Sequence, residues 1–170
     1  MSADVLTIDE SAIRLMANLE QHYAGWLQAE RIVAPGRLTW KTVAEKEYLY
    51  RIVDGAGNGR SLGPRDPGTE AKYEEWVAAK SQAVSLQNRM LIEGAQYRSM
   101  RLPTLPAFAG EALRQLDIAG QLGNNGVLVV GTNALTAYAI EAQRRFDTTL
   151  TATEDFDLTW TGSSTMLNGR

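Results

Sequence analysis

The apolar run GVLVVG at residues 126–131 is the feature that most restricts how this chain can fold. A short valine-rich run between glycines is typical of a strand buried within a sheet. The next segment, TNALTAYAIEAQRR, has apolar residues at helical spacing, and we expect its helix to end near Arg144 and Arg145. The run therefore predicts a buried strand that turns directly into a helix at Gly131.

The turn between these two elements, Gly131-Thr132-Asn133, is a natural seat for a phosphate group. Backbone N–H groups are exposed at the start of a helix, where the helix dipole is positive. Glycine also lets a ligand approach the backbone closely. A Rossmann dinucleotide site is disfavoured, because its G-x-G-x-x-G pattern needs further glycines and this turn offers Gly131 alone.

The segment DFDLTW at residues 155–160 alternates polar and apolar residues. In a strand, Asp155, Asp157 and Thr159 project from the same face, because residues two apart share a side. Paired carboxylates can hold hard divalent cations such as Mg²⁺, an arrangement that suits in-line nucleotidyl transfer. An edge strand with two acids on its solvent-exposed face has the same pattern, so the segment alone does not distinguish the two interpretations.

The ordered set of strand, glycine-hydroxyl turn, helix and D-x-D strand resembles the nucleotidyltransferase superfamily, which includes DNA polymerase beta and the small bacterial antitoxin-type transferases. The matching residues are Gly131, Thr132, Asp155 and Asp157, and the resemblance covers roughly residues 101–162. The longer pattern VVGTNALTAYAIEA…TATEDFDLTW is similar to a bacterial branch of predicted nucleotidyltransferases.

The resemblance implies that Gly131 and Thr132 bind nucleotide phosphates, with an adjacent contact from Asn133. It implies that Asp155 and Asp157 are the catalytic carboxylates and the ligands of Mg²⁺. The expected reaction is Mg²⁺-dependent nucleotidyl transfer from a nucleoside triphosphate to a hydroxyl group. The acceptor is left open among a protein, a nucleic acid and a small molecule.

The chain departs from the family pattern in two places. The gap between the Gly131-Thr132 turn and Asp155 is longer than in compact members, which we interpret as a loop beside the site. The family also supplies a third carboxylate from a later strand, whereas residues 161–170 contain no acid. Either the chain is a fragment or its active site is incomplete, and we favour an N-terminal fragment.

Two long helices and a short sheet are predicted before this region. A T-x-x-E capping box at Thr7 and Glu10 predicts a helix over residues 9–31. Alternating residues between about 38 and 52 predict a β-hairpin or small meander, and GAGNGR is interpreted as a hairpin turn rather than a phosphate loop. Asp66-Pro67 has the composition of a helix start, and this second helix is expected to continue to about residue 100.

The predicted fold class is α+β, with a helical N-terminal part that contains a β-hairpin. It is followed by the start of a nucleotidyltransferase-type mixed sheet with flanking helices. We place the helical and hairpin region at residues 1–100 and the transferase-like core at residues 101–170, because Pro103 and Pro106 mark the best candidate linker.

A second hypothesis keeps the chain non-catalytic. On this interpretation the transferase-like unit is degenerate, and the long helices together with the hairpin that carries Trp40, Tyr48 and Tyr50 bind a protein or a nucleic acid. A modest basic cluster also lies in this region. Its residues either form a solvated face or contact phosphate or nucleic acid; they are Arg51, Arg60 and Arg65.

Composition says more about where the protein is located in the cell than about its function. The net charge of −3 gives no overall attraction to nucleic acid or anionic membrane. The absence of cysteine excludes disulfides and thiolate metal sites. No signal peptide is visible, and the longest apolar run is too short to span a bilayer. We expect a soluble cytoplasmic protein that does not associate with membranes, and the sequence does not specify its oligomeric state.

Overall fold

The computed structural model describes residues 6–34, 36–122, 126–145 and 157–160 of the chain. These residues form an α+β fold, which confirms the predicted fold class. In chain order, the elements are β1 (Leu6–Thr7), α1 (Glu10–Val33), β2 (Arg37–Val43), β3 (Lys46–Ile52), β4 (Gly59–Pro64), α2 (Pro67–Ser99), α3 (Ala107–Ile118), β5 (Val127–Val130), α4 (Thr132–Glu141), β6 (Arg144–Arg145) and β7 (Asp157–Trp160).

The chain divides into two compact units, which are described separately below. Unit 1 comprises Met1–Asn18 together with Glu93–Arg170, and unit 2 comprises Leu19–Ile92. Both boundaries fall inside long helices, α1 and α2. The division at residues 100 and 101, inferred from the sequence, has different bounds and stays a prediction.

Unit 2 contains an antiparallel sheet in the order β2-β3-β4, so the structure has the meander, the second of the two predicted alternatives. Ala44 and Glu45 connect β2 to β3, and both have positive φ, of 48° and 63°. A two-residue hairpin loop of this kind follows the natural twist of the strands. The segment GAGNGR spans the turn after β3 and the first two residues of β4, so it is part of a hairpin, as predicted.

The core of unit 2 lies between this sheet and α2. Leu38, Leu49 and Trp76 are buried together, and Leu49 is fully inaccessible. The indole N–H of Trp76 donates a hydrogen bond of 3.4 Å to the carbonyl of Val33 at the end of α1. Burial of these large apolar side chains is the main source of stability for the unit.

The start of α2 is held by a reciprocal pair of hydrogen bonds. The backbone N–H of Thr69 donates to the carboxylate of Asp66 at 2.8 Å, and the backbone N–H of Asp66 donates to the Thr69 hydroxyl at 2.9 Å. That hydroxyl also donates to the carbonyl of Pro64 at 2.8 Å. Asp66 is therefore the N-cap, as the Asp-Pro pair predicts.

The Thr69→Val substitution tests this cap. Thr69 is only 4% exposed, so valine fills the same space but leaves the Pro64 carbonyl and the Asp66 backbone N–H without their hydroxyl partner. We expect the free energy of unfolding to fall by about 1–3 kcal/mol in urea denaturation. Thr69→Ser keeps the hydroxyl and is the matched control. Equal stability of the two variants would show that the hydroxyl contributes nothing.

The same cap predicts a dependence of stability on pH. Hydrogen bonds from the backbone N–H and then the hydroxyl of Thr69 hold the pKa of Asp66 below its usual range. A carboxyl whose pKa is lowered by folding stabilises the protein above its unfolded pKa, of about 4, and loses that contribution as the pH falls through the folded pKa. The difference in Tm between wild type and Asp66→Asn should therefore shrink below about pH 4. A difference that stays constant across this range would contradict the assignment.

Unit 1 has a separate small core built from both of its segments. Ile8, Ala12 and Leu102 are buried together, with the side chain of Tyr97 packed against them. The Tyr97 hydroxyl donates a hydrogen bond of 2.6 Å to the carbonyl of Pro103, and burial raises the pKa of this tyrosine. The segment predicted to be a linker therefore takes part in the packing of unit 1.

The structure corrects two predicted helix ends in unit 1. The first helix is capped by Asp9, whose carboxylate accepts the backbone N–H of Ala12 at 3.0 Å, and Thr7 lies in β1 rather than in a capping box. The helix α4 ends at Glu141 instead of at the arginine pair. Arg144 and Arg145 form β6, which pairs antiparallel with β1, because the backbone reverses at Gln143, where φ is 50°.

Candidate active site

The candidate site lies at the junction between β5 and α4, in unit 1. Strand β7 pairs antiparallel with β5 in a register that sets Asp157 opposite Val130 and Thr159 opposite Leu128. Because directly opposed residues share a face of the sheet, these side chains lie on one side, as the alternation of β7 predicts. Leu128 is 46% exposed, so β5 is less buried than its sequence predicts.

Gly131 connects the end of β5 to the first turn of α4. Its φ of 70° and ψ of −156° lie in a region of backbone conformation that is essentially restricted to glycine. A Cβ atom added at this position would collide with Oδ2 of Asp157, and would lie 3.3 Å from its Cγ. Glycine is thus required twice, for the backbone conformation and for the close approach of the carboxylate.

This approach brings two of the predicted site residues together. The register of β7 brings the carboxylate of Asp157 to the Gly131 turn, which is the N-terminal end of α4. The first N–H groups of a helix lack partners within the helix, and they carry partial positive charge. The Asp157 carboxylate therefore lies beside backbone N–H groups that are suited to bind an anion.

The other predicted nucleotide-binding residues occupy different environments. Thr132, the first residue of α4, is half-buried. Asn133 is 5% exposed and belongs to the buried face of the helix, with Thr136 and Ala139. A phosphate contact from Asn133 stays a prediction, as does the role of Thr132.

The second predicted metal ligand, Asp155, lies outside the described residues. Across residues 6–34, 36–122, 126–145 and 157–160, no three His, Cys, Asp or Glu side chains come close enough to hold a metal ion. The carboxylate that the structure places at the Gly131 turn is that of Asp157, and the pairing of Asp155 with Asp157 stays a prediction.

Residues 107–168 match the family model described as Nucleotidyltransferase. We call this stretch the nucleotidyltransferase segment; it begins with α3 and includes Gly131, Thr132, Asp155 and Asp157. The segment lies within the region 101–170 that the sequence predicts as the transferase-like core. No curated protein and no solved structure gives a significant match to the chain.

Sequence reasoning did not find the contact between Gly131 and Asp157. The two residues are far apart in the chain, and their contact depends on the strand register of β5 and β7. The unusual backbone angles of Gly131 are also a tertiary property. The signal present in the sequence is the glycine itself, which is needed wherever a side chain approaches the backbone this closely.

The hairpin aromatic residues of the non-catalytic hypothesis do not form one surface. Trp40 faces α2, where its ring lies 5.7 Å from that of Tyr73. Tyr48 and Tyr50 project from the opposite face, because Trp40 is paired with Leu49, the residue between them. A binding surface on this sheet would therefore have to use Tyr48 and Tyr50 without Trp40.

The predicted basic cluster also separates. The guanidinium of Arg65 donates hydrogen bonds of 2.7 Å to both Glu70 and Glu47, which raise its pKa, and it stacks 5.0 Å from the Trp40 ring. Arg65 is therefore committed to contacts within unit 2. Arg51 and Arg60 are left with no ion pair among the residues that the structure describes.

None of the helices in the described part of the chain has the length and apolar character needed to cross a membrane.

Proposed function

We propose that the nucleotidyltransferase segment catalyses Mg²⁺-dependent transfer of a nucleotide from a nucleoside triphosphate to an acceptor hydroxyl. The single observation that carries this proposal is the Asp157 carboxylate held against Gly131 at the start of α4. The family match to residues 107–168 supports nucleotidyl transfer as the general chemistry.

The charges at this turn support a cation-dependent reaction. The N-terminus of α4 attracts phosphate, whereas the adjacent Asp157 carboxylate repels it. Both anionic groups are accommodated when a divalent cation lies between them, since opposite charges at contact distance offset the repulsion. A carboxylate placed at a phosphate seat is thus expected of a metal-nucleotide site.

The donors at the turn fit Mg²⁺. Carboxylate oxygens are the ligands that this ion prefers, and Asp157 is exposed to solvent, so that the remaining positions can be filled by water and phosphate. We propose Asp157 and Asp155 as the protein ligands. When bound, Mg²⁺ would neutralise the charge that develops on the phosphates as pyrophosphate leaves.

Binding and orientation of the triphosphate are proposed roles of the protein residues at the turn. The backbone N–H groups at the start of α4 bind the triphosphate, and Gly131 leaves room for it beside the carboxylate. Thr132 is proposed to contact the phosphates through its backbone or hydroxyl, and Asn133 to help position the turn. These contacts orient the α-phosphorus for in-line attack by the acceptor.

The family branch, the source and the cellular location of the protein are proposed from the resemblance of its motifs. We infer that the segment belongs to the polymerase-beta-like branch and that the protein is bacterial and cytoplasmic. The acceptor could be a protein, a nucleic acid or a small molecule, and a screen of hydroxyl acceptors is the way to identify its class.

Calorimetry with each nucleoside triphosphate tests the proposal without knowledge of the acceptor. We expect at least one nucleotide to bind in the presence of Mg²⁺ and to bind much more weakly in EDTA. An acceptor screen should then show release of pyrophosphate. Equal binding with and without Mg²⁺, or no binding of any nucleotide, would refute the proposed function.

A further inference from the structure

Unit 2 contains two arginines that face each other across adjacent strands. Arg51 of β3 is directly paired with Arg60 of β4. Directly opposed residues of an antiparallel pair project from the same face, with Cβ atoms about 5 Å apart, and like charges at such positions are destabilising.

Nothing in the described part of unit 2 neutralises this pair. No carboxylate forms an ion pair with either guanidinium, and the buried Nε of Arg51 has no hydrogen-bond partner there. The neighbouring carboxylate of Asp54 is engaged elsewhere, in hydrogen bonds of 2.7 Å and 2.8 Å from the side chain and backbone of Asn58. A buried donor without a partner is costly, and native proteins seldom leave one unused.

The two arginines also line a cavity. It has a volume of about 480 Å³ and is lined by Arg51, Val53, Gly59 and Arg60. This volume is in the range of sites for small molecules. The cavity combines a largely apolar wall with two guanidinium groups that form no ion pair in the described part of the chain.

We propose that this cavity binds the phosphate group of a small phosphorylated ligand, such as a phosphate monoester or a diphosphate. The guanidinium group is matched to phosphate oxygens in shape and charge, and two such groups on one face can bind a single anion. A small ligand is favoured over nucleic acid, because the chain is acidic overall, with a net charge of −3.

This proposal does not depend on the nucleotidyltransferase activity. The cavity residues belong to unit 2, within Leu19–Ile92, whereas the family match begins at residue 107. Inorganic pyrophosphate is a suitable probe, and titrations in EDTA exclude any Mg²⁺-dependent binding at the nucleotidyltransferase segment. A failure of either proposal is thereby distinguishable from a failure of the other.

Calorimetric titration of the whole chain with pyrophosphate tests the site. We expect binding by wild type, weakened at least about 10-fold by Arg51→Gln and by Arg60→Gln, since each removes charged hydrogen bonds to the anion. Arg37→Gln is the matched control, because it removes the same charge from the opposite face of the same sheet. Its affinity for pyrophosphate should equal that of wild type.

A charge reversal provides a second readout that does not require ligand. Arg60→Glu places a carboxylate opposite Arg51, so we expect Tm without pyrophosphate to rise by about 1–3 °C, while pyrophosphate binding is lost. No response of wild type to pyrophosphate, or equal weakening by Arg37→Gln, would overturn the proposal. So would tighter binding of a single-stranded oligonucleotide through the same two arginines, because the phosphate would then come from nucleic acid.

Discussion

Asp157→Asn should reduce the rate of nucleotidyl transfer by about 100- to 1,000-fold, the loss typical when one charge-stabilising group is removed from an active site. Asparagine keeps the size of the side chain and one oxygen, so the packing over Gly131 is retained while the negative charge is lost. Because Asp157 is a proposed Mg²⁺ ligand, the substitution should also raise the Mg²⁺ concentration needed for half-maximal rate. The measurement is kcat/KM as a function of Mg²⁺ concentration.

Glu141→Gln is the matched control for this experiment. Glu141 is an exposed carboxylate at the C-terminal end of α4, so the substitution removes the same charge at a distance from the Gly131 turn. We expect its kcat/KM to equal that of wild type. A purely structural role for Asp157 makes a different prediction. Substitution would then remove a favourable interaction with the helix dipole, which would lower Tm and leave the rate unchanged. That outcome would exclude Asp157 as a ligand of the proposed Mg²⁺ site.

Gly131→Ala should strongly destabilise the fold. The backbone angles at this position are unfavourable for any residue with a Cβ, and the new methyl group would meet the Asp157 carboxylate. We expect a loss of about 2–4 kcal/mol in the free energy of unfolding, of which the backbone conformation accounts for about 1–3 kcal/mol. Chemical denaturation measures the loss directly.

Two further variants separate the causes of this loss. Gly110→Ala is the matched control, since Gly110 lies in α3 with open space around it, and alanine there should stabilise the helix by about 1 kcal/mol. Combining Gly131→Ala with Asp157→Ala removes the collision but not the backbone strain. The double variant should therefore be more stable than the sum of the two single effects predicts. Additive effects would show that the two residues do not contact each other.

The site can be predicted from the sequence only as a set of residues. Glycine followed by a hydroxyl residue, a helix and a D-x-D strand is a local pattern, and it is enough to single out Gly131, Thr132 and Asp157. The contact between Gly131 and Asp157 cannot be predicted in this way, because it depends on a one-residue choice of strand register. A slip by one residue would turn Asp157 to the other face of the sheet.

The predicted helix starts show the limit of local signals. Asp66 is predicted correctly, because an N-cap acts on N–H groups within the next few residues and needs no tertiary partner. The capping box predicted at Thr7 is wrong, because pairing with β6 draws this residue into a strand and leaves the cap to Asp9. The same long-range pairing converts the arginines after α4 from a helix end into a strand.

The sequence alone determined the α+β class, the long helices, the meander and the candidate residues, since periodicity, caps and turns act over a few neighbouring residues. The tertiary structure alone decided which residues meet. Strand pairing placed Asp157 over Gly131, paired β1 with β6, and set Arg51 opposite Arg60. These contacts join residues distant in the chain, and their stability comes from packing and register that no short stretch of sequence contains.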